Sequence, residues 1–131
     1  METISVSTDD KQGFYDITDR VQSAVNASGV IEGICLVFCP HTTAGVTLNE
    51  NWDKSVQHDL AVGLNEISPP RSEYRHGEGN SPAHLKSSLM GAAQVVPIDA
   101  GDLVLGRWQG IYICEFDGPR TRKIHVRVLE G

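Results

Sequence analysis

Val30-Ile-Glu-Gly-Ile-Cys-Leu-Val-Phe-Cys39, closed by Pro40, is the stretch that decides how this chain folds. It is nearly continuous apolar sequence, far too short to span a bilayer. A run of this kind without polar alternation belongs to a strand covered on both faces, by helices or by another subunit. Pro40 ends it, and Ala44 to Leu48 reads as the return strand, with Val46 and Leu48 facing one way.

Upstream of this run, Ile4-Ser-Val-Ser alternates as a first strand, and Gly13 to Ile17 continues into a second short one. Thr18 is placed to cap a helix over Asp19 to Ser28, in which Val21 and Val25 lie one turn apart and Gly29 supplies the stop. Downstream, Asn49 or Asn51 can cap a helix whose apolar stripe is Trp52, Val56, Leu60, Leu64 and Ile67. Ser68-Pro69-Pro70 terminates that helix. A long loop follows, rich in proline and glycine and without periodicity; such loops in compact domains tend to carry function. Ser81 then caps a short helix with Pro82 at its first position, Leu85 and Leu89 on its buried face, and Gly91 as its stop. The remainder reads as strands at Ala93 to Ile98, Asp102 to Leu105, Gly110 to Phe116 and Arg122 to Leu129. In the last of these Ile124, Val126 and Val128 point inward, and Asp117-Gly-Pro-Arg120 reads as a hairpin connection into it. Short strands with about three inserted helices indicate a single α+β domain over residues 1–131, with no internal repeat.

Composition narrows the function classes. At 131 residues and 40% apolar content the chain can bury a core without staples. A net charge of −6 argues against general nucleic-acid binding, which needs a basic surface. Arg120, Arg122, Lys123 and Arg127 still leave room for a local cationic pocket. Cys35, Cys39 and Cys114 are an odd set in apolar runs with no CxxC spacing, which reads as buried, reduced thiols of a cytoplasmic protein. The polar, acidic start from Met1 to Asp10 is unlike a signal peptide, and no segment is expected to meet a membrane.

Three of the five histidines, His41, His76 and His84, sit in turn-rich segments beside polar groups. Imidazoles titrate near neutrality and ligate transition metals, so each is a candidate catalytic group and the three together a candidate set for a divalent metal such as zinc. The bland reading of any one of them, that it caps or packs, competes with this. His41 leaves the apolar strand beside rigid Pro40; Thr42 and Thr43 follow with hydroxyls and N–H groups suited to an anion, or to an ST-turn that serves only the backbone. Asn49 and Glu50 end the return strand, where a sheet presents catalytic groups and where a helix cap is equally at home. His84 falls in the first turn of its helix, where the macrodipole keeps an imidazole neutral. Glycines in the intervening loop let His76 and His84 converge. Trp108 reads as core; Gln109 starts a strand within reach of a site; Arg120 and Arg122 can clamp a phosphate bidentately, although solvated arginines are commoner. His58 and His125 lie on polar faces.

Pro40-His-Thr-Thr-Ala-Gly-Val-Thr-Leu-Asn-Glu-Asn51, Asp59-Leu60, His76 to Asn80, and Ala83-His-Leu-Lys-Ser-Ser-Leu-Met-Gly91 resemble the YjbQ-like family, sometimes called secondary thiamine-phosphate synthase enzymes. The likeness continues through Val96-Pro-Ile98, Gly101, Leu103, Leu105-Gly106, Trp108-Gln109 and Glu115-Phe-Asp-Gly-Pro-Arg120, in order over nearly the whole chain. Arg107, where the family usually has threonine, and Ser81-Pro82 depart from it. The resemblance implies an α+β subunit with β-sandwich-like mixed sheets that assembles as a homotrimer. It also implies a weak thiamine phosphate synthase activity, joining hydroxymethylpyrimidine diphosphate to thiazole phosphate with release of pyrophosphate. Carried over by motif, His41, Asn49, Glu50, His76, Asn80, His84, Gln109 and Arg120 would form the pocket. In that picture Thr42, Thr43 and Arg120 hold phosphate oxygens, His76 or His84 moves the proton, and Glu50 orients an imidazole. Two other readings compete: a non-catalytic trimer that binds a metal or phosphorylated metabolite, since no P-loop or GxSxG is present, and a metal-dependent hydrolase.

Overall fold

The computed structural model describes residues 1–131 as eight strands and three helices. In chain order these are β1 (Glu2–Ser7), β2 (Gly13–Asp16), α1 (Thr18–Ser28), β3 (Gly33–Phe38), β4 (Ala44–Glu50), α2 (Ser55–Ile67) and α3 (Ser81–Met90). Four strands complete the chain: β5 (Ala93–Asp99), β6 (Asp102–Leu103), β7 (Gln109–Glu115) and β8 (Thr121–Glu130). One sheet runs β1-β8-β3-β5-β6 and the other β2-β7-β4. Every pairing is antiparallel, so the sandwich expected from the resemblance is present but neither sheet contains a parallel pair.

The core lies between the two sheets. Ile4, Val6, Cys35, Val37, Val96, Ile98, Ile124 and Val126 face it from the larger sheet, and Ala44, Val46, Ile111 and Ile113 from the smaller. Val21, Ala24 and Val25 of α1 close it, as the one-turn spacing of the two valines requires. Gly29 ends α1 in the left-handed conformation, at φ 70°. Thr18 does not cap the helix. Its hydroxyl donates to Asp16 Oδ1 and accepts the Ile111 N–H at 2.8 Å, which fastens α1 to β7 instead.

Three expectations change and one narrows. Within one chain β3 is covered on one face: Cys35 and Val37 are buried, whereas Ile34 and Phe38 are exposed beside Val95 and Leu129, so of the two covers expected, helices or another subunit, helices are ruled out. No helix lies over that outer face because α1 contacts β6, β7 and β8 and the other two helices lie against β2 and β4. Asp117 to Arg120 is not a hairpin; β7 and β8 belong to different sheets, and the segment carries the chain across the sandwich. The stripe on α2 is largely open, with Leu64 its one fully buried member, Ile67 exposed, and Trp52 outside the helix altogether.

The largest change is in α3. Leu85 and Leu89 face outward, 44% and 58% exposed, while Ala83, Lys86 and Ser87 are buried. Small side chains explain this orientation, because they let the helix lie close on β4. The Ser87 hydroxyl donates to the Ala44 carbonyl at 2.7 Å, and a Cβ on Gly45 would stand 2.9 Å from both the Gly91 carbonyl oxygen and Met90 Cβ. Leucines at positions 83 and 87 would hold the helix off the sheet.

Candidate active site at the start of the third helix

The long loop turns into α3 through local bonds. Gly79, at φ 73°, donates its N–H to the His76 carbonyl at 3.1 Å. The Asn80 carbonyl then accepts the N–H groups of Ala83 and His84, which starts the helix. This turn brings two of the three candidate histidines together: the His76 and His84 rings meet edge to face, with centroids 5.4 Å apart and planes at 85°.

Asn80 joins the pair to Arg120. Its Nδ2 donates to Asp117 Oδ2 at 2.9 Å, and Arg120 donates to the same oxygen through Nη2 at 3.1 Å and to the Asp117 carbonyl through Nε at 2.9 Å. Asp117 therefore holds both candidate ligands in place, a role sequence reasoning missed although the residue stood inside the Glu115 to Arg120 motif. Asn80 Oδ1 is buried and has no donor. A buried acceptor of this kind calls for a partner from outside the protein, a water or a ligand group.

The other candidates are placed elsewhere. His41 packs against β8, where its Nε2 accepts the Lys123 N–H at 2.9 Å. Burial, and then the Arg122 charge, hold its pKa below the ordinary value, so the ring is neutral at pH 7. Thr43 is buried: its hydroxyl accepts from Arg122 Nη2 at 2.8 Å and its carbonyl accepts the Phe116 N–H, leaving Thr42 as the exposed residue of the pair. Arg122 is no phosphate clamp. Its guanidinium, 2% exposed, is bidentate to Glu115, which is fully buried. Glu115 also accepts from the Thr8 hydroxyl and the Asp117 N–H. Burial alone would raise the Glu115 pKa, but the Arg122 bonds, followed by those from Asp117 and Thr8, hold it below the usual carboxylate range.

Asn49, Glu50 and Gln109 gather at the far end of the β4–β7 ladder, where Glu50 pairs with Gln109 across the strands. Each serves a local turn: Glu50 Oε2 accepts the N–H groups of Trp52 and Asp53, Asn49 Oδ1 accepts the Glu50 N–H, and Gln109 Oε1 accepts the Gly106 N–H. Beside them Trp108 is exposed rather than core, edge-on to Trp52 at 5.8 Å and under the Arg107 guanidinium at 4.7 Å.

No three His, Cys, Asp or Glu side chains stand together in a geometry that can hold a metal. His41 is committed to the β8 backbone, and the His76–His84 pair has no third ligand of that type. The residues of one chain thus do not fit the zinc set that the histidine count invited. A cavity of about 360 Å³ opens next to Asn80 and Asp117, lined also by Lys11, Gln12, Asn65 and Lys86. Sequence reasoning missed Lys86, whose signal was its position one helical turn after Ala83 on the face that meets the sheet. The three cysteines are free and buried, and burial pushes the Cys35 thiol up to about 11, as for inert core thiols. No helix is long and apolar enough to cross a membrane.

Known proteins resemble the chain over its whole length. The Bacillus subtilis UPF0047 protein YugU is 45% identical over 130 residues, covering 98% of each chain. The Methanocaldococcus jannaschii UPF0047 protein is also 45% identical, over 95% of this chain and 90% of that one. Among solved structures, a YjbQ/UPF0047 family protein of Clostridium acetobutylicum superposes with a TM-score of 0.96 at 50% identity, covering 98% of this chain and all of that one. A YbjQ-like protein of Sulfolobus solfataricus gives 0.94 at 38% identity, covering 99% and 96%. The family described as UPF0047 protein YjbQ-like matches residues 2–131, and the chain belongs to it.

Proposed function

We propose that this protein is a small-molecule enzyme acting on a phosphorylated substrate at the start of α3, with the joining of hydroxymethylpyrimidine diphosphate to thiazole phosphate as its reaction. Two observations from one turn carry the reading: the His76–His84 ring pair, and Asn80 bonded to Asp117, which also holds Arg120, with Asn80 Oδ1 buried and lacking a donor in the protein. The thiazole nitrogen, which carries no proton, forms the new C–N bond as the C–O bond to pyrophosphate breaks, and one imidazole of the edge-to-face pair gives a proton to the departing pyrophosphate oxygen. Arg120 is half exposed and keeps donors free beyond the two it gives Asp117, so it can meet the diphosphate as charge builds on the departing pyrophosphate. No step is routed through a metal; a metal-dependent version needs a further ligand from a second copy. The open apolar face of Ile34, Phe38, Val95 and Leu129 supports assembly as a homotrimer in which such sharing occurs. Buried free thiols support a cytoplasmic setting.

The second reading, a non-catalytic trimer that binds a phosphorylated metabolite or metal, draws on the commitment of Glu50, Gln109 and Thr43 to local hydrogen bonds. Product formation from the two purified substrates separates the readings. His84→Ala should lower turnover by about 100-fold, the usual cost of losing a general acid–base group. A fall of less than about threefold in a folded variant, or equal traces of product from both proteins, removes the catalytic reading and leaves the binding one.

A further inference from the structure

Lys86 is buried in α3 at 7% exposure, and its ammonium has no anionic partner. Nζ donates to Gln12 Oε1 at 2.7 Å and to Asn65 Oδ1 at 2.6 Å, both neutral amide oxygens, and takes part in no ion pair. An ammonium has three N–H groups, so one is left over. The cavity wall that Lys86 shares carries a second cation, Lys11. Its only carboxylate is Asp117, whose Oδ2 is already taken by Asn80 and Arg120. The Phe116 ring lies under the ammonium with its centroid 6.0 Å from Nζ. In a chain of net charge −6, this leaves a cavity of about 360 Å³ with two lysines in its lining against one carboxylate that Arg120 already pairs.

We propose that this cavity is an anion-binding site, taking the phosphate or carboxylate of a small metabolite on the third N–H of Lys86 with Lys11 at its rim. A buried charge without a counter-charge is costly, and folded proteins avoid it unless a ligand or metal completes the pair. Gln12 and Asn65 come from two other parts of the fold, the β1–β2 connection and α2, and they fix the ammonium so that its free N–H is presented in one direction. A positioned cation binds an anion at lower entropic cost than a surface lysine. The cavity is small-molecule sized. Burial, and then the Lys11 charge, hold the Lys86 pKa below its ordinary value, and a bound anion would bring it back up. Ala83 and Lys86 line this cavity while His84 does not, so the site stands whether or not the histidine pair performs chemistry.

The test is a titration of the full chain with inorganic phosphate, and in parallel with acetate, followed through the backbone amides of Gly79, Asn80, Ala83 and Phe116. Saturable shifts confined to these positions are expected. Lys86→Met should weaken binding by at least about tenfold, the loss expected for one charge-assisted hydrogen bond. Lys11→Gln, an exposed change that leaves the fold alone, should weaken it by a smaller factor and covers the case in which Lys86→Met does not fold. His84→Ala should bind phosphate as the parent does while losing any turnover, which separates this proposal from the catalytic one. Phosphate taking hold and acetate not would mark a phosphorylated ligand; the reverse would mark a carboxylate. Shifts that fail to saturate, that centre elsewhere, or that survive both lysine substitutions would overturn the site.

Discussion

Arg122 and Lys86 are both basic side chains almost removed from water, and their surroundings differ in one respect. Arg122 is fork-to-fork with a buried carboxylate, Glu115, and its Nη2 also reaches Thr43. Lys86 has two neutral amides and a cavity. The first arrangement is closed in charge: the guanidinium and the carboxylate neutralise each other, and the Glu115 oxygens are further satisfied by Thr8 and the Asp117 N–H. The second is open by one unit of charge. The comparison teaches how to sort buried charges in this fold. A complete network belongs to the architecture, here locking the His41-to-Thr43 turn and the β7–β8 crossing together, whereas an incomplete one marks a place where something binds.

The sharpest way to break this contrast is to remove the carboxylate. Glu115→Gln leaves Arg122 with an uncompensated charge inside the sandwich and should cost about 3–5 kcal/mol in chemical denaturation, the range for breaking a buried pair by one partner. The pH dependence follows from the same bond. The folded-state pKa of Glu115 is depressed, so its contribution is present above the unfolded carboxylate value of about 4.3 and is lost as pH falls through the folded value. The parent should therefore lose stability more steeply than Glu115→Gln in acid titration below about pH 4. A loss under about 1 kcal/mol would show that the pair contributes no more than a surface one.

The two regions also differ in how far the sequence exposed them. Alternation in β8 was plain, with Ile124, Val126 and Val128 inward, and the same parity places Arg122 inward; reading it as a solvated or phosphate-clamping arginine overlooked its own period. Its partner Glu115 was not legible, because β7 is buried on both faces from Gly110 to Glu115 and shows no polar alternation. The strands were readable in number and order, since apolar runs and proline or glycine breaks mark them locally, but not in every boundary: β3 starts at Gly33 rather than Val30, and β6 ends at Leu103 rather than Leu105. The faces of the helices were not. Leu85 and Leu89 look like the buried stripe of α3, but the approach to Gly45 favours the small residues, and that is a property of β4 rather than of the helix. The convergence of His76, His84 and Asn80 was legible because it is local, within nine residues, whereas the separation of His41 from them depends on which sheet each segment joins.

Supplying the missing carboxylate should convert the open region toward the closed one. Asn65→Asp places an acid where the amide oxygen now stands, 2.6 Å from Lys86 Nζ. A charge-assisted bond then replaces a neutral one, and a gain of about 1 kcal/mol is expected from the difference. The same substitution should raise the Lys86 pKa and abolish phosphate binding, since the charge it would have met is already neutralised. Greater stability with phosphate binding intact would mean that the anion is held by Lys11 or by backbone N–H groups, and that Lys86 is not the element the two regions have in contrast.

The smallest expected effect is the most discriminating. Lys86→Met removes the buried ammonium but keeps most of the apolar stem, and it should change stability by less than about 1 kcal/mol, because the loss of two hydrogen bonds is offset by relief from desolvating the charge. Gln12 and Asn65 then turn their oxygens to water in the cavity, where no donor need be found for them in the protein. If Lys86→Met instead costs as much as Glu115→Gln, the ammonium is a structural bridge between α3, α2 and the β1–β2 connection, both buried cations belong to the architecture, and the distinction between complete and incomplete networks fails in this fold. A near-neutral substitution that still loses phosphate puts Lys86 where its chemistry points, among the groups this chain keeps for a ligand.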